Sequence, residues 1–299
     1  MAKPFHYGGQ AVLEGVMMRG PNRVKTAVRK SDGEIVTRTD PLGQIYSGTL
    51  RKTPFIRGFF ALLETLILGI KALMFSANVA VEEELEQEPK PIIIWIPVVF
   101  GLAMGIGLFV LLPMFITHYG VDKLVDSAII SNLVDGVLRI VILVAYMAAM
   151  SLLPDIRRVF AYHGAEHKTV NAYEAGEPLN VETVQKYNTA HTRCGTGFLL
   201  IVLFIAILVF IFTGQPAIWI RLLIRLAFLP VIAAFAYELI HFTADRKDSL
   251  WVRVIMKPGM KLQSLTTRQP DDEMVEVAIE ALNGVLEPEE EKQDTKELT

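Results

Sequence analysis

Cysteine is almost missing. The 299 residues contain one, Cys194, so no internal disulfide can form. Charge is also scarce: Asp, Glu, Lys and Arg make up only 20% of the chain. Histidine is limited to six residues. The opening Met-Ala-Lys-Pro-Phe-His has no apolar run, so no cleavable signal peptide is expected. No internal repeat is visible. Apolar residues are what the chain has in quantity. They reach 52%, with a mean hydropathy of +0.39. They come in long blocks, which points to a membrane protein and excludes a disordered chain or a nucleic-acid-binding domain. The net charge of −3 decides little, because charge is segregated. Residues 1–80 hold 11 basic side chains against 5 acidic, whereas residues 271–299 hold 2 against 11.

Crossing a hydrocarbon core takes about 20 apolar helical residues. The segments that qualify are Ile92–Phe115, Gly136–Leu153, the shorter Gly197–Thr213, and Ile218–Phe242. The last two form a helical hairpin around Gly214-Gln215-Pro216. With four spans and both termini inside, 25 of the 29 Lys and Arg residues fall on the inner side. That bias sets a cytoplasmic orientation for both ends. The exceptions are Lys123, Arg139, Arg221 and Arg225. Arg225 lies about 12 Å into its helix and must snorkel or meet a polar partner. Pro54–Ala80 is also apolar, but Glu64 and Lys71 share one stripe of it. It reads as an amphipathic helix on the cytoplasmic membrane surface or beside the bundle.

The predicted fold is mainly α: a polytopic helical membrane protein with a small β-rich N-terminal element. Residues 1–53 supply that element, with a hairpin of Val24–Lys30 and Glu34–Thr39 around Ser31-Asp32-Gly33. Residues 54–91 form the amphipathic helix and an acidic linker. Residues 92–242 form the transmembrane domain, with a cytoplasmic loop at 154–196. Residues 243–286 form a cytoplasmic segment with a helix at Asp271–Leu286. The acidic tail, 287–299, is expected to be disordered.

Chemistry must come from the few polar residues set against the apolar blocks. His163-Gly-Ala-Glu166-His167 lies on an expected helix from Asp155 to Ala175, closed by Gly176. Histidines at i and i+4 share a helical face, so both imidazoles can reach one metal ion. H-x-x-E-H is the inverted zincin pattern, with Glu166 as candidate general base. His191-Thr-Arg193-Cys194 precedes the third span, and Glu238 and His241 end the fourth. The topology puts all three clusters at the cytoplasmic face. One shared site follows as the expectation, with His163, His167, His191 and His241 as ligands and Glu238 or Cys194 in addition. Such a set suits Zn²⁺ or Fe²⁺, and a thiolate favours Zn²⁺. Cys194 also reads as an ordinary small residue, and Glu238 as the neutralising partner of an arginine inside the bundle.

The run Gly8-Gly-Gln-Ala-Val-Leu-Glu14-Gly-Val-Met-Met-Arg19-Gly-Pro21 resembles the N-terminal signature of the YqhQ-like family of bacterial membrane proteins. Phe160–Lys168, Asn171–Glu174, His191–Gly195 and Tyr237–His241 are similar to its later blocks. The resemblance spans about residues 5–285. It implies an integral bacterial membrane protein labelled a metal-dependent enzyme, without an assigned substrate. It also directs notice to Glu14 and Arg19, which could reach the site from the cytoplasmic side.

Two functions fit. The first is a metal-dependent enzyme at the cytoplasmic membrane face, with hydrolysis of a lipid or membrane-inserted peptide as the leading reaction. The second is a non-enzymatic assembly factor, scaffold or small ion transporter, whose Glu and His residues are interhelical glue or an ion path. The oligomeric state is not readable from the sequence, and nucleic acid is not an expected partner.

Overall fold

The computed structural model describes residues 5–42, 53–85, 91–244 and 249–286. The chain opens with an antiparallel meander of β1 (Gly8–Val12), β2 (Gly15–Arg19), β3 (Arg23–Arg29) and β4 (Ile35–Pro41). The expected hairpin is its second half, with Val28 opposite Val36. Its turn is closed by the Lys30 N–H donating to Glu34 O and the Glu34 N–H donating to Asp32 Oδ1. The first half comes from the Gly8–Pro21 segment, with Gly9 opposite Met18.

The sheet does not stand alone. Successive strand residues face opposite sides, and both sides are apolar. Val16, Met18 and Ala27 pack against α5 (Pro154–Glu174) and α10 (Asp272–Leu286), through Tyr162, Ala165, Val275 and Leu282. Val12, Met17, Val24 and Val28 pack against Leu68, Ala72 and Val79 of α1 (Ile56–Leu85). The result is three layers assembled from three distant parts of the chain. Lys25 and Arg29 of β3 tie it further to Glu280 and Glu276 of α10.

The remaining long helices are apolar. They are α2 (Pro91–Ile106), joined by a π-turn at Gly107–Leu111 to α3 (Leu112–Tyr119), then α4 (Ala128–Met150), α7 (Gly195–Phe210) and α8 (Ile218–Ala244). A 3₁₀ turn at Val121–Lys123, a single turn, α6 (Val181–Val184), and the amphipathic α9 (Leu250–Thr266) complete the helices of the described residues. Among the described residues, four helical stretches are long and apolar enough to cross a membrane: Ile56–Ala80, Trp95–Lys123, Ala128–Met150 and Ile218–Thr243.

The number matches the expectation, but the membership differs. Ile56–Ala80 qualifies, whereas α7 has 16 residues and falls among the shorter apolar helices. The second span begins eight residues earlier than the hydropathy suggested. Ser131, Asn132 and Asp135 interrupt the apolar run, yet all three are buried and hydrogen-bonded, so the helix continues through them. The acidic tail at 287–299 lies outside the described residues, as does the boundary proposed near residue 53, in part.

Candidate metal centre

The helix α5 carries the H-x-x-E-H run as expected and closes at Gly176, whose N–H bonds Tyr173 O. His163 and His167 lie one turn apart, with ring centroids separated by 4.4 Å. Cys194, the N-cap of α7, comes to them from 27 residues downstream of His167. Its Sγ lies 3.4 Å from His163 Nε2. One potential ligand atom from each of His163, His167 and Cys194 falls within 4.8 Å of the other two.

The supporting bonds decide which nitrogens are available. His163 Nδ1 meets Thr266 O at 2.8 Å, and His167 Nδ1 meets Thr189 O at 2.5 Å. A carbonyl oxygen can only accept, so each Nδ1 carries its ring's proton. Each Nε2 keeps its lone pair. Histidine ligands of metal sites are commonly held by backbone carbonyls in this way.

Helix packing makes these contacts feasible. Gly164 lies where the chain leaving α9 crosses α5. The Arg268 N–H donates to Phe160 O, and a Cβ on Gly164 would sit 2.0 Å from Arg268 O. That crossing brings Thr266 over His163. On α7 and α9, Gly197 meets Gly259, and a Cβ on Gly259 would lie 3.1 Å from the Gly197 Cα. One turn later, the Gln263 amide grips His191. Its Oε1 accepts from the His191 N–H at 3.0 Å, and its Nε2 donates to His191 O at 2.8 Å. Asn171 Nδ2 donates to Asn188 O and Ala190 O and holds the same loop.

His191 stands beside the trio, its ring centroid 5.4 Å from that of His167. It is buried, and its Nε2 has no hydrogen-bond partner. Burial, then the positive charge of Arg193, pushes its pKa down to about 3, so the ring is neutral. Glu166 is buried too. Its Oε1 accepts from the Gly9 N–H at 2.8 Å, and its Oε2 is unpartnered. Burial raises its pKa, opposed by His163 and by the Gly9 bond. The Gly8–Pro21 segment therefore reaches this region through a backbone N–H of β1.

The other expected residues lie elsewhere. Glu14, at the β1–β2 turn with φ of 50°, pairs with Arg158 at 2.5 and 2.7 Å. Arg19 pairs with Glu64 at 2.9 Å. Arg193 pairs with Glu174. Glu238 is gripped by Arg57 from α1, at 2.7 Å to Oε1 and 2.5 Å to Oε2, and also accepts from the Phe55 N–H. His241 is exposed and stacks on Tyr237. The third cluster thus joins α8 to α1, and its carboxylate pairs with an arginine at the start of α1 rather than with one inside the bundle. Thr189, Thr266, Gln263 and Gly9 carry the support, mostly through backbone atoms. Of these, only Gly9 lies in a run that the sequence singles out.

An apolar cavity of about 1090 Å³ opens next to this region, between α4, α7 and α9. Val144, Gly197, Phe204, Met256 and Gly259 line it. Leu265 lies on its wall, one residue before the Thr266 carbonyl that holds His163.

A family profile described as "Protein of unknown function (DUF1385)" matches residues 53–288. "Uncharacterized protein YqhQ" of Bacillus subtilis (strain 168) is 34% identical over 308 residues, covering 95% of this chain and 93% of that relative. The chain belongs to the DUF1385 family. No solved structure matches it. In this member of the DUF1385 family, the runs that carry the resemblance supply the cluster and one contact beside it: Gly9 from the first, His163, Glu166 and His167 from the second, Cys194 from the third.

Proposed function

We propose that this chain is a metal-dependent enzyme of the bacterial cell membrane, hydrolysing a lipid or a membrane-inserted peptide at the cytoplasmic face. One observation carries the reading: two imidazoles from one helix and a distant thiol converge, with each imidazole's Nδ1 held by a carbonyl. Imidazole nitrogen and thiolate sulfur donors suit Zn²⁺ first and Fe²⁺ second. His163, His167 and Cys194 would hold the ion, which leaves its fourth position open to water or substrate, and His191 stands beside it. Bound there, the metal supplies a Lewis acid for a carbonyl or phosphoryl oxygen and acidifies a water molecule. Glu166 accepts the proton at Oε2, and its Oε1 stays anchored to Gly9. The apolar cavity between α4, α7 and α9 receives the substrate's hydrocarbon portion, beside the Thr266 brace.

Location rests on α1. Its start is bonded to the inner end of α8, and its second half packs on the sheet. Both parts therefore belong to one layer, although the helix is long enough to span. Phe59, Leu62, Leu63, Leu66 and Leu73 project from it unburied. That pattern favours a helix lying in the interface, with the sheet beneath it. Both termini are then cytoplasmic, as the basic residues also favour.

The test has two stages. Protein purified without chelator should carry about one transition-metal ion per chain, as one mononuclear site requires. Metal-free protein that is still folded would overturn the reading. Metal-loaded protein in nanodiscs is then incubated with bacterial membrane extract, and products are followed by mass spectrometry. Turnover should vanish in Glu166→Gln while its metal remains. Equal turnover in the variant removes Glu166 as the base.

A further inference from the structure

A second polar cluster lies in the apolar bundle, two turns into both α4 and α8. Arg139, Arg221 and Arg225 are 7%, 2% and 4% exposed. They converge on two carboxylates. Asp135 Oδ2 lies 2.8 Å from both Arg139 Nε and Arg225 Nη2. Asp122 Oδ2 takes Arg221 at 2.8 Å and lies 3.5 Å from His118 Nδ1. The other oxygens are also engaged: Asp135 Oδ1 by the Thr117 hydroxyl, Asp122 Oδ1 by Ser131 and Gln215. Three permanent cations thus face two anions whose oxygens are all in use.

Donors are left over. Arg139 Nη2, Arg221 Nε and Nη1, and Arg225 Nη1 are buried and have no hydrogen-bond partner. Arg139 Nη1 has already reached a backbone oxygen, Phe109 O, in the π-turn. Such turns favour functional positions in helices. A surplus cation with unpaired donors inside an apolar bundle is costly unless another anion completes it. Guanidinium forks match the tetrahedral oxygens of phosphate, which offers several acceptors at once.

We propose that Arg139, Arg221 and Arg225 form an oxyanion site that binds a phosphate group within the bundle. The group is either a phospholipid headgroup drawn in from the leaflet or free phosphate. The site is independent of the metal centre and stands without it.

Thermal unfolding of the full-length protein tests this. Delipidated protein in detergent is titrated with inorganic phosphate. A parallel sample enters nanodiscs of phosphatidylglycerol or of a phosphate-free galactolipid. One arm should raise Tm by about 3–6 °C, as a bound ligand does at saturation. A rise with inorganic phosphate assigns a soluble anion. A rise with phosphatidylglycerol alone assigns a headgroup. Arg225→Gln leaves two arginines against two aspartates, so it should fold without phosphate and lose the shift. If that variant fails to fold, Arg225→Lys keeps the charge but loses the fork, and should show a reduced shift. No rise in either arm, or an equal rise in the variants, overturns the proposal.

Discussion

The two buried polar clusters differ in what they leave over. Around His163, His167 and Cys194, the supports are mostly backbone carbonyls, which consume protons and leave lone pairs. Around Arg139, Arg221 and Arg225, the supports are carboxylates, which consume donors but number too few. The first arrangement has surplus acceptors and suits a cation. The second has surplus donors and suits an anion. Counting ionisable residues alone would not separate them. The ligand class is set by which atoms remain once internal bonds are made.

The largest effect should come from removing the acceptors. His163→Ala with His167→Ala should lower bound metal from about one ion per chain to under about a tenth, since two of the available donors are gone. Elemental analysis of purified protein checks this. Retained metal would place the ion elsewhere and dissolve the contrast. Next comes the crossing that supplies the Thr266 brace. Gly164→Ala puts a methyl 2.0 Å from Arg268 O, a backbone atom that cannot turn away. Destabilisation by about 2–4 kcal/mol is expected, read as a drop in Tm. An unchanged Tm would mean that α9 does not need to pass so close.

Gln263→Ala should act less on stability and more selectively on the metal centre. It removes both hydrogen bonds to the His191 backbone in a buried setting, at about 1–3 kcal/mol. Freeing the loop that carries His191 and Cys194 should weaken metal binding by about tenfold, as loss of a supporting contact typically does. Competition with a chromogenic chelator measures this. Loss of stability with unaltered metal affinity would make Gln263 a packing residue only.

The layout was more legible than the tertiary pairing. Hydropathy located the apolar helices because burial in lipid requires long unbroken runs. It misjudged the start of α4, because Asp135 and Asn132 are paired in three dimensions with residues far along the chain. The i, i+4 histidines were legible because helical periodicity is local. Adding Cys194 depended on topology, which holds once both segments abut the same membrane face. The sheet's role was not legible. Its partner α10 begins 231 residues after β4 ends, and only the two-sided apolar pattern of β2 hints at layers on both faces. Shared depth drew Glu238 toward the site, and the family resemblance drew Glu14 and Arg19. Each instead met a closer opposite charge on a neighbouring element: Arg158, Glu64 and Arg57.

That last pair gives the smallest expected effect and the sharpest check on where the metal centre ends. Unlike Glu166 beside the metal centre, Glu238 leaves no oxygen without a partner. It is also partly open to solvent, with side chains 17% and 22% exposed. Screening limits such a pair to about 1 kcal/mol or less. Glu238→Gln should therefore lower Tm only slightly, through a loosened contact between α1 and α8, and should leave metal content at the wild-type level. His241→Ala should do the same, since its ring lies exposed on Tyr237. Loss of metal in either variant would bring the third cluster into the site after all. The ion would then sit at the junction of α1 and α8 rather than between α5 and α7.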